Sequence, residues 1–549
     1  MKKIKRISII TLLFGCFAMF AFKVDDRYFE IAKNLDIYAS IFKELNAYYV
    51  DEVNPNKLIK QSIDATLKQF DPYTVFYAED DIEDYMTMAT GKYNGIGAMV
   101  ASRDGRRFVT MLYEDAPALK GGLKIGDEII KIEGVDVFNR KEIDTEKLLK
   151  GQTGTDVKVT VKRIGSDKPI DLKITRGVVK MDNVPFYGMV SEDVGYITLE
   201  DFSATAAREI RAAFFELKGK GMKKLILDLR GNPGGLLNMA VDISNFFVPK
   251  DALVVETKGK VAEWNKKYNT TNAPIELDMP IAVLINSMSA SASEIVSGVI
   301  QDYDRGVLIG QRSYGKGLVQ ATRDLTFRTK LKITTAKYYI PSGRCIQAID
   351  YSHRNADGSV GKLPDSLKTA FKTKNGRVVF DGGGVDPDIK LEAPNFAPIT
   401  ISLVSKNVIF DYASKFAAEH ATIKPAKEFE LSDADYQDFV KSLTGKTYDY
   451  ATQIEKDLKS LEVSAKKEKY FNSLEEQINA LKLKVSHSKE QDVVTFKTEI
   501  KQQLEKEIVG RYYLQKGQKE YTFKDDPEVK EALKLFKDPS RYQAILKGI

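Results

Sequence analysis

The chain has 549 residues, which exceeds one domain and, at about 150 residues per domain, predicts three or four. Hydrophobic residues make up 43% of it, enough to bury real cores. The net charge is +6, from 83 basic and 77 acidic residues, so both signs are mixed and we expect no nucleic-acid partner.

The N-terminus has the pattern of an export signal. Four basic residues within positions 2–6 precede an apolar stretch over 7–22, as in a secretory signal. Met19 and Phe20 make a poor cleavage site near the end of that stretch. A cleaved signal peptide and an uncleaved membrane anchor over residues 1–25 both remain open, and either one predicts a protein that is exported to the periplasm.

The next segment is predicted to be helical. Apolar residues such as Ile41 and Leu45 recur at helical spacing between residues 28 and 88. The sequence D-P-Y-T at 71–74 interrupts this pattern. We therefore expect an N-terminal helical segment over residues 26–89.

Two glycine-containing stretches follow. The sequence Y-N-G-I-G ends in Gly95, Ile96 and Gly97, and G-L-K-I-G-D-E-I-I begins at Gly122. Both resemble the PDZ domain, which implies such a domain over residues 90–178. A PDZ domain binds a peptide as an added strand and holds the terminal carboxylate in a nest of backbone N–H groups. The resemblance implies that Gly95, Ile96 and Gly97 provide these groups here. A PDZ fold that serves only for packing is the alternative.

Strands and helices then alternate. Two apolar runs at 194–199 and 225–229 predict buried strands, and an amphipathic pattern at 205–217 predicts a helix between them. The second strand ends in R-G-N-P-G-G, whose last residues are Gly234 and Gly235. Taken alone, these glycines indicate a turn between a strand and a helix.

A small-residue turn follows the next predicted strand. The apolar run 281–285 leads into residues 286–293, which are rich in serine and alanine, and then into a helical pattern. Such a turn exposes a side chain and aims free backbone N–H groups at a ligand. A further strand at 306–309 is followed by Lys316, which stands between two glycines.

These residues fit nucleophilic catalysis without histidine. A serine hydroxyl needs an adjacent base, and the only histidines are His353, His420 and His487, none of them in the glycine- and serine-rich motifs. Lys316 is then the candidate base. The ordinary pKa of lysine, about 10.4, is too high for this role, so such a site must be apolar and keep the amine neutral by desolvation.

The residues around this lysine also match parts of two other known motifs. Residues 310–316 spell G-x-x-x-x-G-K, but Gly317 replaces the Ser or Thr that would bind magnesium, so we reject a nucleotide site. Residues 313–316 fit the S-x-x-K of penicillin-binding proteins. The same pattern recurs at 464–467 and 486–489, and no S-D-N or K-T-G accompanies it.

The remaining chain has two parts. An alternating pattern at 332–339 predicts a strand, and G-G-G-V-D-P-D at 382–388 is the last motif before the sequence changes character. Residues 396–549 are rich in Lys, Glu, Leu and Tyr, with helical spacing such as Leu474 and Ile478. This tail predicts a charged helical domain that covers the core or builds an oligomer, and a solvated helix bundle is also compatible.

Several motifs together resemble one family. S-A-S-A-S-E at 289–294, Y-G-K-G at 314–317 and the glutamine Gln320 are similar to the signature of the C-terminal processing peptidases, also called tail-specific proteases. These are S41 serine peptidases with a PDZ domain and a Ser-Lys dyad. D-L-R-x-N-x-G-G, Y-x-x-P-S-G-R and G-G-x-x-P-D follow the family order, and the resemblance covers roughly residues 30–395.

The resemblance implies a role for each site residue. Ser291 is implied to be the nucleophile, Lys316 its base, and Gln320 the third member, which orients the amine.

The resemblance also implies an oxyanion hole, in which N–H groups address charge that develops only in the transition state. One donor is the N–H of Ala292, and the other belongs to Gly234 or Gly235, between which the sequence does not choose. No metal and no cofactor are expected.

These inferences predict a multidomain α/β protein with a crotonase-like or Clp-protease-like core, an inserted PDZ domain and helical ends. The expected function is an exported serine endopeptidase that recognises protein or peptide substrates near their free C-termini. The alternative is a noncatalytic PDZ scaffold that binds such tails. The expected segments are a signal or anchor (1–25), a helical segment (26–89), a PDZ domain (90–178), a peptidase core (179–395) and a charged helical domain (396–549).

Overall fold

The structure is a computed structural model that describes residues 26–355, 357–485 and 489–549. The predicted export signal and His487 lie outside these residues. No helix within the described ranges is long and apolar enough to cross a membrane. The described residues form two compact units, one within 26–78 and 322–333 and one within 79–321 and 334–549.

The first unit contains the predicted N-terminal helices. Its elements are α1 (Asp26–Tyr48), α2 (Pro55–Leu67) and β1 (Val75–Tyr77). The side chain of Asn54 accepts a hydrogen bond from the Lys57 N–H at 3.0 Å, which caps the start of α2. The Asp71 carboxylate accepts the N–H groups of Tyr73 and Thr74, both at 2.8 Å, and so forms the predicted break. β1 pairs antiparallel with Lys330–Lys332.

The second unit begins with the predicted PDZ region. Its elements are α3 (Ile82–Thr90), β2 (Lys92–Gly95), β3 (Ala98–Arg103), β4 (Arg106–Leu112), α4 (Pro117–Lys120), β5 (Glu128–Ile132), β6 (Val135–Asp136), α5 (Glu142–Leu149), β7 (Asp156–Lys162), β8 (Ile170–Thr175) and β9 (Gly177–Lys180). The sheet has the order β3-β4-β5-β7-β8, with β6 beside β5, while β2 pairs with β9. Val109, Ile132 and Val159 lie in its own buried hydrophobic core. In this strand order β3 and β8 are the two edge strands.

The predicted peptidase core follows. Its elements are β10 (Phe186–Met189), β11 (Val194–Thr198), α6 (Ala206–Gly219), β12 (Lys224–Asp228), α7 (Leu237–Ser244), β13 (Leu253–Gly259), β14 (Lys266–Asn269), β15 (Ile281–Ile285), α8 (Ala292–Asp302), β16 (Val307–Gly310), β17 (Leu318–Asp324), β18 (Lys330–Tyr339), β19 (Ile349–Arg354), β20 (Val360–Lys362), β21 (Ala370–Lys372), β22 (Val378–Phe380) and β23 (Ile389–Lys390). The strands predicted from the apolar runs at 194–199, 225–229, 281–285 and 306–309 are all present, within a residue or two at each end.

The central sheet of this core has the order β10-β11-β12-β15-β16-β23. The five strands from β11 onward are parallel, and β10 is an antiparallel edge. Parallel strands that follow one another in chain order are joined by right-handed crossovers, which place the connecting helices on one face. Ile210 of α6, Ile243 of α7 and Val299 of α8 accordingly share one hydrophobic core. The opposite face of the sheet must be buried by other elements.

The tail contains the predicted helices. They are α9 (Pro398–Ser405), α10 (Val408–Glu419), α11 (Asp433–Ser442), α12 (Gln453–Lys467), α13 (Phe471–Val485), α14 (Lys489–Thr495), α15 (Lys497–Thr522), α16 (Pro527–Phe536) and α17 (Pro539–Lys547). Helices α9, α10, α11 and α15 share a core of their own, which includes Leu403, Phe439 and Ile508.

The last two helices belong to a different core. Val529 and Leu535 of α16 pack on Ile226 and Leu284, which lie on the second face of the central sheet. Arg230, at the end of β12, forms salt bridges with Asp228, Asp526 and Glu528, the last two at the start of α16. The tail, predicted as one helical domain, thus divides its helices between two cores, and its end completes a three-layer α/β/α arrangement.

Candidate active site

Ser291 lies in a strained turn between β15 and α8. Its backbone has φ +54° and ψ −111°, a conformation that is uncommon for a residue with a side chain. Strain of this kind costs about 1–3 kcal/mol and persists where surrounding contacts enforce it. It turns the chain sharply from a buried strand into a helix, as in the nucleophile elbow of α/β-hydrolases.

The loop after β12 holds this turn in place. The Asn232 carbonyl accepts the Ala290 N–H and the Ser293 hydroxyl, each at 3.0 Å. The Ser289 hydroxyl donates to the Leu229 carbonyl at 2.8 Å. Two of the three serines in the motif therefore have their hydroxyls in buried structural hydrogen bonds.

The predicted oxyanion donors lie beside the turn. Ala292 is the first residue of α8, where backbone N–H groups have no partner within the helix. Gly234 has φ +100°, and a Cβ atom at this position would lie 2.8 Å from the Ala292 nitrogen and from the Ser291 Cβ. Only glycine allows this close approach.

The two glycines differ in their hydrogen bonds. The Gly234 N–H donates to the Asn232 side-chain oxygen at 2.8 Å. Gly235 lies opposite Phe202 in an isolated parallel β-bridge, whose hydrogen bonds are made by the residues on either side of Gly235. The N–H of Gly235 itself makes no hydrogen bond to any residue in the described part of the chain. The geometry therefore favours Gly235 as the second donor, although the assignment stays a prediction.

Lys316 is held in a tight loop between β16 and β17. Gly315 has φ +88°, and a Cβ atom there would lie 2.4 Å from the Ala348 side chain. The Gly317 N–H donates to the Gln347 side-chain oxygen at 2.7 Å. The lysine itself is partly buried. The glycines on either side of the lysine thus let the backbone pack closely enough to fix its position.

The Glu294 carboxylate joins the serine turn to the lysine loop. One oxygen accepts the Ser291 N–H at 2.8 Å and the Lys316 N–H at 2.9 Å. The other accepts the Gly315 N–H at 2.7 Å and the Ser313 hydroxyl at 2.5 Å. The backbone nitrogens of Ser291 and Lys316 are therefore two hydrogen-bond lengths apart at most.

Tyr338 of β18 makes a second connection between the same two loops. Its hydroxyl donates to the Ser291 carbonyl at 3.1 Å, and its N–H donates to the Gly317 carbonyl at 2.9 Å. The ring is buried. The turn of Ser291 and the loop of Lys316 are thus joined through their main chains by one carboxylate and one tyrosine.

Gln320 lies on β17, so its spacing from the lysine is that of a strand. Its side-chain amide donates to the Thr334 hydroxyl on β18 at 3.1 Å. The structure therefore places Gln320 on the strand that follows the lysine loop, and its role as the third member stays a prediction.

The role of Glu294 was not recognised from the sequence, although its letter belongs to the motif. A serine followed three residues later by glutamate is the capping-box pattern, which predicts that the serine N–H donates a hydrogen bond to the glutamate side chain. That signal was available. Burial raises the pKa of Glu294 above its ordinary value, and the hydrogen bonds from Ser313, Lys316, Gly315 and Ser291 oppose this shift.

We expect Glu294→Gln to lower the turnover rate by about a hundredfold, since a displacement of about 1 Å in a catalytic group has that effect. The amide NH2 would face N–H groups that now donate to the carboxylate, so the two loops would separate. Turnover of a fluorogenic peptide measures the loss, and Glu192→Gln, on an exposed surface, is the matched control.

The pH profile separates positioning from mere stability. Because the pKa of Glu294 is raised, this carboxylate takes up a proton at a higher pH than an ordinary glutamate, and its acceptor capacity falls as the pH falls. Activity should therefore drop on the acid side in the native enzyme. The activity that remains in Glu294→Gln should depend less steeply on pH, and an unchanged profile would contradict this role.

The predicted peptide-binding loop lies at the start of the PDZ region. Gly97 has φ +78°, and a Cβ atom there would lie 2.3 Å from the Ala116 side chain. Ile96 is buried, and its carbonyl accepts the Ala118 N–H at 2.6 Å. Gly95 ends β2. The loop is thus fixed by hydrogen bonds and packing directly before the edge strand β3.

Known families match three parts of the chain. Residues 94–174 match a PDZ domain, 193–353 match Peptidase family S41, and 399–536 match the C-terminal helical domain of a probable PDZ-protease. Over 321 residues, 58% of this chain, it is 34% identical to the carboxy-terminal-processing protease of Bartonella bacilliformis, 73% of which is covered. The chain belongs to peptidase family S41.

The membership predicted from the motifs is therefore confirmed. A probable CtpA-like serine protease of Staphylococcus haemolyticus is 30% identical to this S41 chain over 368 residues, which is 67% of this chain and 66% of that protein. Both relatives are named as proteases, and the match to a PDZ domain confirms the second predicted module.

Solved structures include similar chains. The photosystem II D1 C-terminal processing protease is 23% identical with a TM-score of 0.35, over 65% of this chain and 92% of that chain. The PDZ domain of a carboxy-terminal protease from Vibrio cholerae, solved with a peptide, is 33% identical with a TM-score of 0.16, over 16% of this chain and 98% of that chain.

Proposed function

We propose that the protein is an exported serine endopeptidase that cleaves protein substrates recognised near their C-termini, with Ser291 and Lys316 as a dyad. The observation that carries this is the single buried carboxylate of Glu294, which holds the main chains of both residues. A strained serine at a helix start and a lysine between two glycines are otherwise unrelated features. A dyad requires that its two residues be held close together, and the bonds of Glu294 to both main chains meet this requirement.

The proposed reaction has two halves. The neutral amine of Lys316 takes the proton of the Ser291 hydroxyl as the oxygen attacks the peptide carbonyl carbon. The protonated amine then gives that proton to the leaving nitrogen, the C–N bond breaks, and an ester to Ser291 remains. Water repeats the sequence, with the lysine as base, and releases the new C-terminus and the free serine.

The charge on the carbonyl oxygen requires donors placed in advance. The N–H of Ala292 at the helix start and that of Gly235 are the donors that we propose, and each such donor contributes roughly 3–4 kcal/mol to lowering the barrier. The helix dipole of α8 adds to this, because its positive end faces the same place. Gln320 is proposed to orient the lysine amine.

The proposal also includes the type of core fold, the cellular location and the role of the tail. Consecutive parallel strands with their helices on one face support a crotonase-like or Clp-protease-like core. The signal-like pattern of residues 1–25 supports export to the periplasm, either free or anchored in the membrane. The helical tail is proposed to build an oligomer or bind an adaptor.

The free carboxylate of a substrate should determine its rate of cleavage. We expect a peptide with a free, apolar C-terminus to be cut about tenfold faster than its amidated form, because a hydrogen-bonded charge contributes about 1.5–3 kcal/mol. Values of kcat/KM for the two peptides measure this. Labelling of Ser291 by a small serine-directed probe is the control, and it should not depend on either peptide.

Two outcomes would contradict the proposal in different ways. Equal cleavage of both peptides would show that the carboxylate is not recognised, leaving the PDZ domain as a packing element. Absence of any cleavage of unfolded protein or peptide, together with binding of free C-termini, would favour the noncatalytic scaffold instead.

A further inference from the structure

The PDZ domain has a groove between β3 and α5, which we call the peptide groove. It has a volume of about 210 Å³, and the apolar residues Ile96, Ala98, Val100 and Leu149 are among those that line it. β3 is an edge strand of its sheet, so its outward main-chain groups are available to an added strand. An apolar side chain of such a strand would be buried in this groove.

The direction of a bound tail follows from the loop that precedes β3. The Gly151 N–H, just after α5, donates to the Asn94 carbonyl at 3.2 Å, so the C-terminal end of α5 lies at the glycine loop. A tail whose carboxylate binds at Gly95–Gly97 therefore has its last residue near Leu149. Its earlier residues run back along α5 toward Glu142.

The side of the peptide groove along which these earlier residues of the tail would lie is acidic. Glu142 and Glu146 line the peptide groove, and both lie on the helix face that carries Leu149, at spacings of three and four residues. The distance from Leu149 back to Glu142 is about 10 Å along the helix, or about three residues of an extended peptide. The two glutamates therefore flank the residues just before the terminal one.

These two charges have no ion-pair partner within the described part of the chain. The carboxylates of Glu142 and Glu146 make no hydrogen bond or salt bridge with any residue in the described ranges. The one lysine that lines the groove, Lys150, is paired with Asp84 at 2.7 Å. The groove therefore presents net negative charge at positions where a bound tail would place its side chains.

From this geometry we infer that the peptide groove selects C-terminal tails with Lys or Arg within the three residues before an apolar last residue. The inference rests on the proposed function only in taking the groove as a site for free C-termini. It does not depend on catalysis by Ser291. Acidic tails are disfavoured because like charges would face each other across the groove.

Binding of labelled peptides to the full chain tests this inference. Ser291→Ala prevents cleavage, and fluorescence anisotropy compares tails that differ only in having Lys or Glu before a common apolar end. We expect the Lys tail to bind about five- to tenfold more tightly, because exposed charge pairs each make a modest contribution to affinity. The difference should shrink as salt is added.

Matched variants locate the source of the preference. Glu142→Gln with Glu146→Gln should remove it, and neither side chain is fully buried, so the fold should persist in circular dichroism. Asp144→Asn is the control, because Asp144 is exposed on the same helix and does not line the groove. It removes one like charge from α5 and should leave the preference intact.

Each outcome has one meaning. Equal binding of the Lys and Glu tails, or a preference that survives in the double variant, would overturn the inference. Loss of the preference in Asp144→Asn would also overturn it, because net charge and not the groove would then be responsible. If the amidated Lys tail binds as well as the free one, or if no tail binds, the proposed recognition of C-termini fails as well.

Discussion

Ser291→Ala is expected to lower the rate of peptide hydrolysis by roughly 10⁴- to 10⁶-fold, which is the loss seen when a serine nucleophile is removed from a comparable unit. The N–H of Ser291 donates to the Glu294 carboxylate, and this main-chain bond to the turn remains when the side chain is removed. Stability should therefore change little. Values of kcat/KM for a fluorogenic peptide and thermal unfolding measure the two effects separately.

The neighbouring serines are the natural controls. The hydroxyls of Ser289 and Ser293 donate to the carbonyls of Leu229 and Asn232. Their replacement by alanine should cost about 1 kcal/mol of stability each, the net contribution of a typical hydrogen bond, and should leave chemistry largely intact. Full activity in Ser291→Ala would show that Ser291 is not the nucleophile. Complete loss in Ser289→Ala alone, with an intact fold, would also contradict this assignment.

Lys316→Ala should be as inactive as Ser291→Ala, and the double variant should be no worse than either, because residues that act as one unit are not additive. Lys316→Arg should fail as well, since a guanidinium does not release its proton at working pH. Lys337→Arg, on an exposed position of β18, is the matched control and should keep its activity. Single-turnover rates with one substrate compare all five variants.

The pH dependence gives a second test of the same base. A lysine acts as a base only in its neutral form, so the rate should rise with pH across the neutral and mildly alkaline range. A rate that stays constant over that range would contradict a lysine base. Substantial activity in Lys316→Arg would contradict it independently.

Much of the site could be predicted from the sequence because its parts are local. A strand, a small-residue turn and a helix succeed each other within a few residues, so the position of Ser291 follows from periodicity and composition. The glycines around Lys316 similarly indicate close backbone packing. The resemblance to C-terminal processing peptidases then assigned their roles, and the comparisons confirmed the family.

Other features depend on residues that are distant in the chain. Gly234 and Gly235 are equivalent in the sequence, and only the hydrogen bond from Gly234 to Asn232 distinguishes them. Glu294 is one more letter of a motif in the sequence, and only the fold brings the loop of Lys316 to both of its carboxylate oxygens. A local pattern specifies a local bond, whereas a shared acceptor is specified by tertiary packing.

By itself the sequence determined the order of the strands and helices and the helical character of the tail, since each follows from spacing over short stretches. Its resemblance to a known family indicated the PDZ and peptidase modules. Only the tertiary structure decided that α16 and α17 cover the second face of the central sheet. Crossovers of one hand leave that face apolar and uncovered, and a charged amphipathic helix does not indicate in its own pattern which of two apolar surfaces it will bury. Packing against Ile226 and Leu284, with Arg230 paired to the start of α16, made that choice.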